Sequence, residues 1–211
     1  MKSDCVLAGV GGQGVLSIAA IIAGAASRAG YSVRQSEVHG MAQRGGAVLA
    51  HLRLAGPDDG EDPGPGNYPG GQDHPEGLIP GDLIPRGAAD MIISMEPLEG
   101  LRCLAWLSPE GSLITAAEPV LNIPNYPALE EIHGAVNSLP RRRLVEAAAL
   151  AREAGLARAA NMVMVGAASP WLPIPAETLE NTIAALFAGR DPAAAAANTR
   201  AFWAGRRAAL A

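Results

Sequence analysis

The sequence predicts an α/β protein with three layers, in which a mostly parallel sheet is flanked by helices and followed by a helical C-terminal tail. In the first two-thirds of the chain, short apolar runs alternate with segments of helical period, which is the pattern of strands joined by crossover helices. Residues 147–211 are helical in period almost throughout. Hydrophobic residues make up 49% of the 211 positions, enough for a substantial core. We therefore expect one domain over residues 1–211.

The individual elements follow from local patterns. Strands are predicted where apolar runs are bounded by turn residues, at 4–10, 31–35, 47–54, 88–95, 111–116 and 142–146. Helices are predicted where apolar residues recur with the helical period, at 14–29, 96–106, 126–136, 147–154, 159–168, 176–188 and 192–208. The strand at 47–54 begins apolar and then alternates, which predicts a place near an edge of the sheet.

Residues 56–77 differ in composition from the rest of the chain. They are rich in Gly, Pro and Asp, lack periodicity and contain too few apolar residues to be buried. We expect a flexible, exposed insertion here. The alternative is a lid or a contact with a partner, because long loops often carry function.

Charge and composition exclude several classes of function. The net charge of −5 gives no basic footprint for nucleic acid, and no apolar run approaches the ~18 residues of a membrane-spanning helix. A strand predicted from residue 4 leaves no room for a signal peptide, so we expect a cytoplasmic protein. Cys5 and Cys103 are too few to supply the thiolates that an iron–sulfur cluster usually needs, and we expect both to be buried thiols.

A glycine-rich loop, Gly9-Val10-Gly11-Gly12-Gln13-Gly14, follows the first predicted strand and matches G-x-G-x-x-G between a strand and a helix. Such a loop lets backbone approach a pyrophosphate at a helix N-terminus, and Glu37 lies near the position of an acid that would bind the ribose. The sequence leaves two interpretations open. One is a dinucleotide site, and the other is tight packing of strand against helix without a ligand.

A second loop, Ser36-Glu37-Val38-His39-Gly40-Met41-Ala42-Gln43-Arg44-Gly45-Gly46, follows the second predicted strand. Arg44 could bind a carboxylate or phosphate through two hydrogen bonds, and His39 titrates near neutral pH. Each polar residue could instead make only a structural hydrogen bond, and the spacing of the potential ligands does not predict a metal site. Because the carboxyl ends of parallel strands share one edge, both loops are predicted on one rim of the sheet.

The two loops together resemble the gamma-type subunit of 2-oxoacid:acceptor oxidoreductases (the pyruvate/ketoisovalerate type), and within that family the beta subunit of indolepyruvate:ferredoxin oxidoreductase. Further similar segments are Leu83-Ile84-Pro85, Ala89-Asp90, Met95-Glu96-Pro97-Leu98-Glu99 and Ala160-Asn161-Met162-Val163-Met164-Val165-Gly166-Ala167. The second loop is the specific part of this resemblance. The resemblance covers nearly the whole chain except residues 56–77, which are longer than the usual connection.

The resemblance implies a subunit that is not active alone. A large alpha-type partner subunit would hold thiamine diphosphate, Mg and [4Fe-4S] clusters, and the assembled enzyme would decarboxylate a 2-oxoacid, reduce ferredoxin and pass the acyl group to coenzyme A. Backbone positions expected to approach a cofactor or the partner are Gly11, Gly12, Gln13, Gly14, Gly45 and Gly46. Side chains expected to face the shared active site are Glu37, His39, Gln43 and Arg44.

Within that site, Arg44 is expected to hold an anionic group, and Glu37 or His39 to fix the geometry of the loop. Two rival functions stay open at this point. One is a free-standing NAD(P)-dependent oxidoreductase that uses the first glycine loop and Glu37. The other is a non-enzymatic assembly module that keeps the fold without the chemistry.

Overall fold

The computed structural model describes residues 2–39, 45–56, 81–188 and 191–211. Six strands of the described chain form one sheet in the order β2-β3-β1-β4-β5-β6. Their bounds are β1 Lys2–Val10, β2 Ser32–His39, β3 Ala47–Ala55, β4 Ala89–Ser94, β5 Leu107–Ala116 and β6 Arg142–Val145. Strands β1, β4, β5 and β6 are parallel, whereas β3 is antiparallel to both β1 and β2. The predicted mostly parallel sheet is confirmed, with one reversed strand.

The position of β3, second from one edge of the sheet, agrees with the predicted place near an edge, whereas its antiparallel direction departs from the parallel pattern. This strand lies between β2 and β1, so β2 and not β3 is the edge strand. The connection from His39 to Ala47 is too short for a crossover helix, and a hairpin forms instead. The polar residues in the alternating part of β3, His51 and Arg53, are buried with partners rather than exposed.

Helices cover both faces of the sheet, which confirms the three predicted layers. Their bounds are α1 Val15–Arg28, α2 Pro97–Arg102, α3 Leu129–Asn137, α4 Ala147–Glu153, α5 Ala160–Ala168, α6 Ala176–Phe187 and α7 Pro192–Leu210. Cys5 and Leu7 of β1 face the layer of α1 and α5, and Val6 and Ala8 face the layer of α2 and α3. Burial on both faces explains why this strand is a continuous apolar run.

The C-terminal helices belong to the same layer as α1 rather than extending away from the domain. Helices α5 and α7 cross at very short distance: a Cβ on Gly166 would lie 1.8 Å from the Phe202 carbonyl oxygen, and one on Gly205 would lie 1.9 Å from that of Val163. Glycine is required at both positions because backbone occupies the space of a side chain. The helical tail expected from periodicity is therefore packed into the core.

A buried ion pair lies at the end of strands β1 and β3 that is opposite the glycine loops. Arg53 is 2% exposed and donates from Nε and Nη2 to the two carboxylate oxygens of Asp4, at 2.9 and 3.1 Å. Its Nη1 donates to the carbonyls of Gly81 and Leu83, where the described chain resumes. This pair ties β1, β3 and the segment before β4 together. Residues 57–77 of the predicted insertion lie outside the described residues.

Candidate functional site

The two glycine loops meet at the carboxyl rim of the sheet. Strands β1 and β2 run in the same direction because each is antiparallel to β3, so both end at this rim. The Gly11 amide donates to the Gly46 carbonyl at 2.8 Å, which joins the first loop directly to the end of the second. The described ends of both loops therefore lie on one rim, as predicted.

The glycines of the first loop differ in what the absence of a side chain allows. A Cβ on Gly9 would lie 2.8 Å from Cγ2 of Val15, so this glycine allows β1 to pack against α1. Gly14 has φ of 83°, and a Cβ there would lie 2.7 Å from Nδ2 of Asn161. Gly12 has φ of 102° and is exposed, and a Cβ there would meet no atom of the described residues within 4 Å. Gly12 is thus the glycine most open to close approach by another molecule.

Gln13 braces the first loop through its side chain. Its Oε1 accepts from the Val10 amide at 2.7 Å, and its Nε2 donates to the Met95 carbonyl at 2.8 Å. The loop after β1 is therefore held against the end of β4. The sequence assigns Gln13 to backbone approach, and the structure adds this bracing contact.

The second loop begins later than the sequence suggests. Strand β2 continues to His39, paired with Val48 of β3, so Glu37 and His39 lie in a strand and not in the loop. Glu37 is exposed, and its Oε1 accepts from Nε2 of Gln35 at 2.7 Å. Gln43 and Arg44 lie outside the described residues, so their expected roles stay predictions.

The placement of Glu37 counts against a dinucleotide site. In the dinucleotide-binding fold, the acid lies at the end of a parallel strand adjacent to the first. Here β3 lies between β2 and β1. Neighbouring strands lie about 4.8 Å apart, so the strand that carries Glu37 is about 10 Å from β1. The carboxylate is on the wrong strand to bind a ribose whose phosphates contact the first loop.

A buried carboxylate at the rim was only partly anticipated. Glu96 is 1% exposed and caps the N-terminus of α2, its Oε2 accepting from the Glu99 amide at 2.8 Å. Its Oε1 accepts from the Tyr126 hydroxyl and from the Val120 amide. Glu96 therefore caps α2 and at the same time accepts hydrogen bonds from the loop that follows β5.

The contact with Tyr126 depends on where α3 begins. The sequence predicts a helix from 126, but α3 begins at Leu129, because a residue before proline disfavours helical backbone and Pro127 follows Tyr126. Tyr126 is therefore in the loop between β5 and α3. Burial and the hydrogen bond to Glu96 raise the pKa of the Tyr126 hydroxyl, which stays protonated as the donor.

The loop between β5 and α3, residues 117–128, is the third loop of the rim. Nδ2 of Asn122 donates to the Gly45 carbonyl at 2.8 Å, so this loop contacts the end of the second glycine loop. Glu118 accepts from the Ala148 amide at the start of α4. Beside Asn122, the side chain of Leu121 is 76% exposed. The rim thus presents backbone and apolar surface together.

Charged and metal-binding chemistry is sparse in the described part of the chain. No three side chains of His, Cys, Asp or Glu come together there in a way that could hold a metal ion. Cys5 and Cys103 are both buried as expected, and burial raises their pKa values to about 12 and about 11. Among the described helices, none is both long and apolar enough to span a membrane.

Comparison with known proteins assigns the chain to a family. Residues 4–71 and 78–208 match the family described as pyruvate ferredoxin/flavodoxin oxidoreductase. The chain is 36% identical over 190 residues to the indolepyruvate oxidoreductase subunit IorB of Pyrococcus horikoshii, a match covering 85% of this chain and 84% of that protein.

Solved structures share the fold at lower identity. The pyruvate oxidoreductase subunit PORC of Thermotoga maritima has a TM-score of 0.67 at 20% identity, over 98% of this chain and 96% of that one. A 2-oxoglutarate:ferredoxin oxidoreductase of Magnetococcus marinus, with 2-oxoglutarate, coenzyme A and succinyl-CoA bound, has a TM-score of 0.70 at 19% identity. That match covers 99% of this chain but only 31% of the other chain, so the shared domain is one part of a larger polypeptide there. This chain belongs to the pyruvate ferredoxin/flavodoxin oxidoreductase family.

Proposed function

We propose that this chain is the small, gamma-type subunit of an indolepyruvate-type 2-oxoacid:ferredoxin oxidoreductase, and that its rim completes an active site held mainly by a large partner subunit. The observation that carries the proposal is the joined pair of glycine loops, in a chain 36% identical to an indolepyruvate oxidoreductase subunit. The partner would carry thiamine diphosphate, which supplies an electron sink for decarboxylation when bound.

The described residues fit a role beside a cofactor better than a role in holding one. They offer no group of three metal-ligating side chains, and so do not fit Mg or an iron–sulfur cluster, which we propose to lie in the partner. Gly12 does fit close approach, because it is exposed and no described side chain lies over its Cα. An anionic group, such as a phosphate of coenzyme A, could lie against this backbone, with ferredoxin as the acceptor of the complex.

Exposed apolar side chains favour the carboxyl rim as the surface that faces the partner. Leu121 is 76% exposed on the third loop, and Val38 is half exposed near the end of β2. Apolar groups gain free energy when a partner removes them from water. This chemistry suits a protein surface better than a soluble small molecule.

The free-standing NAD(P) enzyme is the weaker alternative, because β3 separates Glu37 from the first loop. The assembly module without chemistry predicts a complex whose turnover does not depend on the rim. The two surviving proposals therefore differ in what rim substitutions do to the assembled enzyme.

The experiment is to co-express the chain with the large subunit and measure ferredoxin reduction driven by indolepyruvate and coenzyme A. Leu121→Ser should weaken assembly. Leu83→Ser should not, because Leu83, although 55% exposed, lies beside Arg53 at the end of the sheet opposite the rim. Arg44→Ala should lower kcat/KM at least tenfold, whereas Arg28→Ala at the far end of α1 should not. Equal effects of the two members of each pair would overturn the proposed role of the rim.

A further inference from the structure

Glu96 makes more contacts than a helix cap requires. Capping α2 needs only the hydrogen bond from the Glu99 amide to Oε2. The second oxygen accepts from the Tyr126 hydroxyl and the Val120 amide, both in the loop 117–128. A carboxylate that is 1% exposed is strongly disfavoured unless donors surround it, so these loop donors and the burial of Glu96 depend on one another.

The loop that Glu96 holds reaches the glycine loops. Asn122 lies between the two residues that contact Glu96, and its Nδ2 donates to the Gly45 carbonyl at 2.8 Å. The next residue, Gly46, accepts from the Gly11 amide at 2.8 Å. A continuous series of contacts therefore leads from the buried carboxylate to both glycine loops.

The same part of the chain also holds the first loop from its other side. Met95, the residue before Glu96, accepts from Nε2 of Gln13 at 2.8 Å. The Ser94 hydroxyl donates to the Glu96 carbonyl at 2.6 Å and fixes the turn between β4 and α2. The end of β4 is thus the common anchor for all three loops of the rim.

We infer that Glu96 and Tyr126 are a positioning pair: they hold the loop 117–128 so that Asn122 fixes Gly45 and Gly46 beside Gly11. In this role both residues act through the loop 117–128. Tyr126 stays a neutral donor, and Glu96 stays the acceptor that fixes its orientation. The consequence for turnover rests on the proposed function, whereas the consequence for loop order does not.

The experiment uses two conservative variants, each with a matched control. Tyr126→Phe removes only the hydroxyl. Tyr31→Phe removes the same atom from the residue just before β2, at the end of that strand far from the rim, where the hydroxyl makes no hydrogen bond to the described residues. Asn122→Ala removes the contact with Gly45, and Asn125→Ala removes an exposed amide from the same loop.

The first measurement is hydrogen exchange of the Gly11 amide in the full chain. Loss of one hydrogen bond in a series should accelerate this exchange about tenfold in Tyr126→Phe and in Asn122→Ala, and not in either control. The double variant should exchange no faster than the faster single variant, because both act through the same contacts. An about hundredfold, multiplicative effect in the double variant, or rates equal to those of the controls, would overturn the positioning pair.

The second measurement is turnover by the complex with the large subunit. Tyr126→Phe and Asn122→Ala should each lower kcat about tenfold with little change in subunit affinity. The double variant should again be no more impaired than the more impaired single variant. Faster exchange together with unchanged kcat would support the positioning pair and contradict the proposed role of these loops in turnover. Unchanged exchange with lowered kcat would overturn the positioning pair alone.

Discussion

Replacing Gly14 with alanine tests how the first loop is built. Two costs add at this position. Its φ of 83° lies in the left-handed region, which costs an L-residue about 1–2 kcal/mol. The new Cβ would also lie 2.7 Å from Nδ2 of Asn161, which would drive that side chain off its rotamer at about 0.5–1.5 kcal/mol. We expect a loss of about 1.5–3.5 kcal/mol in the free energy of unfolding, and a fall in Tm of roughly 3–14 °C.

Gly12→Ala is the matched control, because Gly12 also has a positive φ but meets no described atom. It should lose only the backbone contribution of about 1–2 kcal/mol. Urea unfolding of both variants, of Asn161→Ala and of Gly14→Ala with Asn161→Ala completes a double-mutant cycle. The alanine at 161 should recover about 1 kcal/mol of the loss at Gly14. No recovery, with equal losses at Gly12 and Gly14, would refute the packing argument.

Three further predictions concern the core. Asp4→Asn should cost about 3–5 kcal/mol in urea unfolding, because it neutralises a buried carboxylate that accepts two hydrogen bonds from buried Arg53; a loss below about 1 kcal/mol would contradict this. Gly166→Ala should cost at least about 3 kcal/mol because the new Cβ would meet backbone, whereas Gly24→Ala, which meets only a methyl group at 3.4 Å, should be neutral or slightly stabilising. Burial, and then Arg53, lower the pKa of His51 in the folded state. The stability that neutral His51 contributes is therefore fully present above about pH 6.5 and is lost as the pH falls toward the pKa of His51 in the folded state. A His51→Asn variant should show a flatter decline in stability below pH 6.5, and parallel stability curves for the two proteins would refute this.

The strands and helices that depend mainly on residues close in sequence could be predicted from the sequence. Strands β1, β4 and β5 are apolar runs buried on both faces, and the C-terminal helices have clear periods, so both could be placed from the sequence within a few residues. The shared rim was also predictable, because strand direction follows from the alternation of strands and helices. The glycine pattern indicated the rim, although it could not separate Gly9 and Gly14, which allow packing, from exposed Gly12.

What the sequence did not reveal depends on contacts between distant residues. Strand β3 lies between β2 and β1 because it pairs with both, and nothing in its local sequence indicates those two partners. Arg53 and Asp4 are far apart along the chain and look like surface charges until the fold brings them together. The bond between Glu96 and Tyr126 joins residues 30 positions apart, and the only local hint was Pro127, which keeps Tyr126 out of α3.

The central claim is that the working site is incomplete in this chain and is completed when the rim meets the large subunit. The most direct test is indolepyruvate-dependent reduction of ferredoxin, measured for the purified chain, for the large subunit and for their complex under the same conditions. We predict turnover by the complex alone, and a lower turnover at the same subunit concentrations when Leu121→Ser weakens assembly. Full turnover by the large subunit without this chain, or by this chain without the large subunit, would contradict the claim.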